Sequence, residues 1–267
     1  PKLLREWAAH PDVEFAGDLS EVGVLGIHCD GVQYTSSVRA GGSRSIVVGS
    51  MNVISGGEAI RQKRQPLFVL RKTRFCGCGC QGYHTIQEIM AVVAWSVACL
   101  ATGVSPTCRH DGAPWTGKDL EDRIPGGKSI PRAALLQVRG DWEFFEQFFR
   151  TRSVNSDNFC WMCQATQRTL GPNHYTDFRP TAAHRQTLID TQQYLEGCVR
   201  EGSQPSMLFR SPGFQLDYLI VDVMHAGDLG TFQDAIGSLF WLEVTNKSWH
   251  RSRKVGLAAL NTDLNFF

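Results

Sequence analysis

Hydrophobic and polar residues follow two different periods along this chain, one typical of β-strands and the other of α-helices. Short apolar runs rich in β-branched residues predict strands, and glycine-rich segments separate the first three of them. Three consecutive strands with such connections indicate an antiparallel meander. The predicted strands are residues 22–30, 45–54, 66–71, 133–141 and 218–221.

Apolar residues at helical spacing follow the third, fourth and fifth runs, and they predict a helix after each. A further helix is predicted near residues 187–200. The order strand, strand, strand, helix, strand, helix, strand, helix is that of the ribonuclease H-like fold. We therefore expect an α/β fold, a ribonuclease H-like mixed sheet flanked by helices, with a cysteine-containing insertion. The expected domains are a lead-in at 1–21, a core at 22–245 with the insertion at 150–217, and the start of a truncated C-terminal region at 246–267.

The composition narrows the function classes. The net charge of +1 gives no global preference for nucleic acid or a membrane surface, so basic clusters at 61–74 and 247–254 would have to bind phosphates locally. The uncharged apolar run at 89–101 is too short to span a bilayer and favours a buried core helix. Nine unevenly spaced cysteines favour a reducing compartment, with thiols that are buried or bind metal.

An aspartate ends three of the predicted strands, and His225 follows the last one. These aspartates are Asp30, Asp141 and Asp222. In a mixed sheet such strand ends can converge on one edge, where clustered carboxylates repel each other unless a cation neutralises them. Hard oxygen ligands suit Mg²⁺ or Mn²⁺, and two such ions can stabilise the attacking and leaving oxygens of phosphodiester cleavage. Each aspartate could instead be a turn or cap residue, and His225 a core histidine.

The cysteines form a second set of candidate ligands. Cys160 and Cys163 have the spacing of half a zinc site, whose missing ligands could be His174 or His184 downstream, or thiols from elsewhere in the chain. A separate cluster near the predicted first helix could supply those thiols or form its own zinc site. Buried thiols are the alternative for both groups. The cluster consists of Cys76, Cys78, Cys80 and His84.

Four short motifs occur in a fixed order between about Val22 and Val244. They are Cys29-Asp-Gly31, the run Arg132-Ala-Ala-Leu-Leu-Gln-Val-Arg-Gly-Asp141, Cys160-Trp-Met-Cys163 and Asp222-Val-Met-His225. This ordered set resembles the catalytic core of eukaryotic cut-and-paste DNA transposases, especially those of CACTA-type elements. The set is even more similar to uncharacterised transposase-like proteins of dinoflagellates.

The resemblance implies metal-dependent cleavage and strand transfer at DNA phosphodiester bonds. Asp30 and Asp141 would be ligands of Mg²⁺ or Mn²⁺, Asp222 a third ligand or a support, and His225 an orienting group. It also implies DNA as the partner, a homo-oligomer, a nuclear location and no membrane. The family's final acid has no assigned counterpart, because Glu243 lies about four turns into the predicted last helix, too far to reach Asp222.

Two alternatives stay open beside this interpretation. One is a catalytically inactive domain derived from a transposase, which binds nucleic acid or protein and contains a structural zinc. The other is an unrelated zinc-binding α/β protein, in which Asp30, Asp141 and Asp222 would lie far apart.

Overall fold

The computed structural model describes residues 2–35, 44–54, 64–121 and 123–222, together with scattered positions between 237 and 258. The chain divides into two compact units, Pro1–Ile220 and Val221–Phe267, each of which is described by itself. His225 and most of the helix predicted after the fifth strand lie outside the described residues.

A five-stranded mixed sheet, in the order β3-β2-β1-β4-β5, forms the centre of the fold. β1 pairs with β2 and β2 pairs with β3 in antiparallel fashion, which confirms the predicted meander. β4 returns parallel to β1 on the other side. The strands are β1 (Gly23–Thr35), β2 (Arg44–Val53), β3 (Arg64–Arg71), β4 (Ala133–Gly140) and β5 (Leu219–Val221).

The first strand is longer than its sequence pattern predicts. The Asp30-Gly31 pair favours a turn, but β1 continues through it to Thr35. Asp30 and Gly31 lie opposite Val48 and Val47 of β2 in the antiparallel ladder. The predicted end of the strand at Asp30 is therefore wrong, because pairing with β2 outweighs the local turn preference.

Helices pack around the sheet, and two of them confirm the predicted periodicity after the third and fourth strands. The helix predicted near 187–200 begins later, because the Asp190 side chain accepts from the Gln193 N–H in a reciprocal capping box. A 3₁₀ turn, Ala183–Thr187, precedes it. The helices are α1 (Lys2–Ala8), α2 (Tyr83–Thr102), α3 (Lys118–Glu121), α4 (Trp142–Phe149) and α5 (Thr191–Arg200).

The long helix α2 packs along the sheet. Ile86, Met90 and Val97 on one of its faces are buried, and an apolar cavity of about 260 Å³ lies between α2 and the residues around Leu25 on β1. Among the described helices, α2 alone is long and apolar enough to cross a membrane by length and composition, and a soluble protein's core helix would pass the same test. Gly103, with a φ of 70°, ends the helix in the left-handed conformation.

A cluster of aromatic side chains joins α4 to the segment that follows it. Phe145 and Phe149 on α4 are fully buried, and Phe145 packs against Trp161 with ring centroids 5.3 Å apart. The buried Gln87 side chain on α2 links the two regions, since it donates to the Phe148 carbonyl at 2.8 Å. These contacts anchor a segment that has little regular structure between α4 and α5.

Candidate functional site

Cys76, Cys78, Cys80 and His84, here called the Cys₃His cluster, lie together where β3 connects to α2. The Cys76 and Cys80 sulfurs are 3.0 Å apart, and the Cys78 sulfur lies 3.4 Å from Cys76 and 3.2 Å from the His84 Nδ1. All four ligand atoms lie within 4.8 Å of one another. Tetrahedral zinc with its usual bond lengths of about 2.0–2.3 Å separates its ligands by roughly 3.5–3.8 Å. The cluster can therefore hold a structural metal such as zinc.

Local backbone geometry turns these side chains towards one point. Gly82, with a φ of 90°, lies at the start of α2, and the ring of Phe75 packs so closely that a Cβ at Gly82 would be 2.2 Å from it. The Thr85 hydroxyl accepts from the Cys76 N–H at 2.9 Å, and the His84 N–H donates to the Cys80 sulfur at 3.4 Å. The ligands are thus oriented by their own neighbours, as metal ligands usually are.

The electrostatics of the cluster favour thiolate formation. Hydrogen bonds from the Cys80 thiol, then from Cys78 and Thr85, lower the pKa of Cys76 to about 6. Zinc binds the thiolate form, so this environment suits a metal. Three thiolates and one imidazole fill a tetrahedral site and leave no open position for substrate, which is typical of structural zinc.

The Cys160-x-x-Cys163 pair lies in a different environment. Cys163 is buried, and burial together with the hydrogen bond that its thiol donates to Cys160 raises its pKa to about 11. An Arg152 guanidinium nitrogen donates to the carbonyls of both cysteines at 3.1 and 3.2 Å. The Nδ1 of His174 instead forms a hydrogen bond with a threonine hydroxyl. Within the described ranges, the Cys₃His cluster is the only place where three or more such ligands meet, so neither His184 nor the distant thiols complete this pair.

The parallel pairing of β1 and β4 leads towards two of the predicted aspartates. The last paired residues are His28 and Arg139, which precede Asp30 and Asp141 by two residues each. The chains are still adjacent just before that point, because a Cβ at Gly140 would lie 3.1 Å from a carbonyl oxygen of β1. Both aspartates therefore lie on neighbouring stretches of backbone near the end of β4.

Asp141 has a structural role and also lines a cavity. Its carboxylate accepts from the Phe144 N–H at 2.6 Å and so caps the N-terminus of α4. It lines a cavity of about 270 Å³ together with Lys72 and Glu143. The Lys72 ammonium lies 3.7 Å from the Glu143 carboxylate at the rim. Sequence reasoning did not single out Glu143, whose signal is its place two residues after Asp141 in the first turn of α4.

The other two predicted site residues follow β5 in the sequence. Asp222 directly follows β5, is partly buried and belongs to the second unit, which is described by itself. His225 lies outside the described residues. The prediction of a four-residue catalytic set therefore stays a prediction.

Comparison with known proteins adds no assignment. No protein-family model matches the chain, and no curated protein matches it. The function has to be argued from the geometry of the Cys₃His cluster and of the Asp30–Asp141 pair.

Proposed function

We propose that the chain is a transposase-like core of the ribonuclease H-like class, which cleaves and joins DNA phosphodiester bonds with a divalent metal. The observation that carries the proposal is the β1–β4 register, whose last pair, His28 and Arg139, precedes Asp30 and Asp141 by two residues each. The sheet order supports it, because β1 and β4 run parallel at the centre and the antiparallel meander extends to one side. DNA as partner, self-association and a nuclear location belong to the same proposal.

The chemistry of the two side chains fits Mg²⁺ or Mn²⁺. Neighbouring strands lie about 4.8 Å apart, so two carboxylates at one level repel each other unless a cation is bound. Mg²⁺ commonly uses one or two carboxylates and leaves its other positions to water and substrate phosphates. Bound between Asp30 and Asp141, the ion would supply Lewis-acid stabilisation of the phosphodiester oxygens.

Other residues of this region would orient the DNA. The cap bond to the Phe144 N–H fixes the rotamer of Asp141, so its carboxylate is already ordered before a metal binds. Lys72 offers a positive charge at the rim of the cavity, where a phosphate would approach. Its ion pair with Glu143 is largely exposed and can exchange for a phosphate at little cost.

The proposal is tested by Asp30→Asn and Asp141→Asn in the full chain, with Mn²⁺-dependent cleavage of duplex DNA as the readout. Each change should lower the cleavage rate by about 100-fold or more, because a metal ligand is lost. Asparagine caps helices as well as aspartate does, so Asp141→Asn should still fold. Asp190→Asn is the matched control, since Asp190 caps α5 in the same way and lies away from the cavity. Unchanged cleavage in both variants would disprove the enzymatic role.

A second candidate function is a transposase-derived domain that binds nucleic acid or protein without cleaving it. The cap role of Asp141 favours this alternative, because a helix cap is sufficient reason for an aspartate at this position. The Cys₃His cluster would then be the scaffold of a binding surface. DNA binding with no cleavage, and with the same affinity in Asp30→Asn as in the unchanged chain, would support this function over the enzyme.

A further inference from the structure

The connection between β3 and α2 contains both the Cys₃His cluster and a residue of the Asp141 cavity. It begins with the 3₁₀ turn Lys72–Arg74 and continues through Phe75 into Cys76. Only three residues separate Lys72 from the first metal ligand. Any change in the backbone of the cluster is therefore transmitted over a very short stretch of chain.

Phe75 connects the cluster to the wall of the cavity by packing. Its ring packs edge-on against Phe148 of α4, with centroids 6.2 Å apart, and also lies close to the backbone of Gly82. Phe148 is buried and lines the same cavity as Lys72 and Asp141. Phe75 thus lies between the cluster and the wall of the cavity.

The side-chain contact of Lys72 contributes little to its position. The ammonium group lies 3.7 Å from the Glu143 carboxylate, and the two side chains are 37% and 63% exposed. Such exposed pairs contribute on the order of 0–1 kcal/mol. The position of Lys72 must therefore come mainly from the backbone that precedes the cluster.

The stretch from Gly77 to Gly79 in the middle of the cluster is exposed. Cys78 is exposed, and nothing lies within 4 Å of a Cβ built at Gly77 or Gly79. Gln81 has a positive φ of 56°, which a residue other than glycine adopts at a cost. A bound metal would add four bonds that hold this loop in one conformation.

We propose that metal binding by the Cys₃His cluster fixes the segment 72–84 and so holds Lys72 at the rim of the Asp141 cavity, where it contacts a DNA phosphate. Zinc loading then sets the affinity for DNA without any part in the chemistry. The contact with DNA rests on the proposed function. The positioning of Lys72 by the metal does not.

The first experiment measures the positioning without DNA. The full chain is treated with an amine-acetylating reagent, zinc-loaded or after chelation, and labelling of each lysine is followed by mass spectrometry. Lys72 should react about fivefold faster without zinc, since the ion pair with Glu143 opens when the backbone is released. Lys2, which is 86% exposed in a helix outside the segment, is the control and should react equally in both states. Equal rates at Lys72 would overturn the proposal.

The second experiment measures binding to a short DNA duplex by Lys72→Ala, Cys78→Ser and the double variant. Lys72→Ala should weaken binding roughly fivefold in the zinc-loaded chain, as expected for one phosphate contact. It should have less than about a twofold effect when Cys78→Ser is already present, because Lys72 is then no longer held. An equal effect in both backgrounds would overturn the coupling.

Matched variants separate the possible failures. Cys108→Ser removes a thiol in a loop outside the cluster and should change neither zinc content nor binding. His84→Cys keeps four zinc ligands and should retain both the slow labelling and the Lys72 effect. If zinc-loaded protein binds no DNA at all, the proposed function fails, while the labelling experiment still decides whether the metal positions Lys72.

Discussion

The two cysteine-containing segments of this chain differ in what holds them. The segment with Cys76 to His84 brings four ligand atoms within 4.8 Å of one another, yet Cys78 and His84 are exposed. In the segment with Cys160 and Cys163, Trp161 is buried against Phe145, and Arg152 donates hydrogen bonds to the carbonyls of both cysteines. The first segment offers a set of metal ligands, and the second is held by packing and hydrogen bonds.

The difference shows that cysteine spacing alone does not identify a zinc site. The Cys-x-x-Cys spacing of 160 and 163 is that of half a zinc site, but the described chain brings it no third ligand. The Cys-x-Cys-x-Cys run meets a fourth candidate ligand because α2 begins shortly after it, at Tyr83. His84 lies in the first turn of that helix, where its Nδ1 is 3.2 Å from the Cys78 sulfur.

Removing a ligand of the Cys₃His cluster should have the largest effect. Cys80→Ser should reduce bound zinc from about one ion per chain to none and lower the free energy of unfolding by several kcal/mol, since the binding energy of a structural zinc contributes to folding. Cys160→Ser should leave the zinc content unchanged. Metal analysis and urea unfolding of both variants measure the contrast, and zinc loss in Cys160→Ser would contradict it.

A substitution at Gly82 should have the next largest effect. Alanine there combines a φ of 90° with a Cβ only 2.2 Å from the Phe75 ring, so Gly82→Ala should destabilise the chain by about 2–4 kcal/mol. Gly79→Ala is the control, because Gly79 has a similar φ of 86° but no atom within 4 Å of the added carbon. That change should cost only about 1 kcal/mol. Equal losses in urea unfolding would mean that the Phe75 contact is unimportant.

Breaking the hydrogen bonds of the segment with Cys160 and Cys163, here called the second segment, should lower the stability less and should not change the zinc content. Arg152→Ala removes donors to the Cys160 and Cys163 carbonyls and to the Asn158 side chain, and should cost about 1–2 kcal/mol. Arg152→Lys should restore part of this stability, because one ammonium can reach only some of the acceptors. Zinc content is measured alongside unfolding, and a fall in zinc would show that the two segments are not independent.

The sequence predicts local features of this fold well. The strands of the meander, α2 and α4 follow from hydrophobic periodicity, and the Cys₃His ligands lie within nine consecutive residues. The path of β1 past Asp30 was predicted wrongly, because the Asp-Gly pair favours a turn and only the pairing with β2 overrides it.

Contacts between residues far apart in the sequence cannot be predicted from such local patterns. Neither the β1–β4 register, which pairs His28 with Arg139, nor the meeting of Lys72 with Glu143 has a local signal. They depend on how elements far apart in sequence pack against one another. The Cys160–Cys163 pair is a further example. It has no third ligand in the described chain because of how residues 164–189 pack, and local spacing does not show this packing.

The smallest expected effect concerns the acid sensitivity of the second segment. Hydrogen bonds from the Thr169 hydroxyl, then from the backbone N–H groups of Thr169 and Arg168, hold the pKa of Asp157 at about 2, below its ordinary value of 3.8. A carboxyl whose pKa is lowered by folding stabilises the folded state above its unfolded pKa and loses that contribution as the pH falls through its folded pKa. The loop from 157 to 169 should therefore loosen between about pH 4 and pH 2.

Asp157→Asn provides the test, because it removes the titration and keeps the shape of the side chain. On metal-free protein, so that zinc release makes no contribution, hydrogen exchange of residues 157–169 should rise between pH 4 and pH 2 in the unchanged chain, after correction for the intrinsic exchange rate. In Asp157→Asn, the exchange rate of these residues should already be raised at pH 4 and should stay constant down to pH 2. A rise of the same size in both proteins would mean that Asp157 does not hold the loop, and that burial of Trp161 and Cys163 alone gives the second segment its order without a metal.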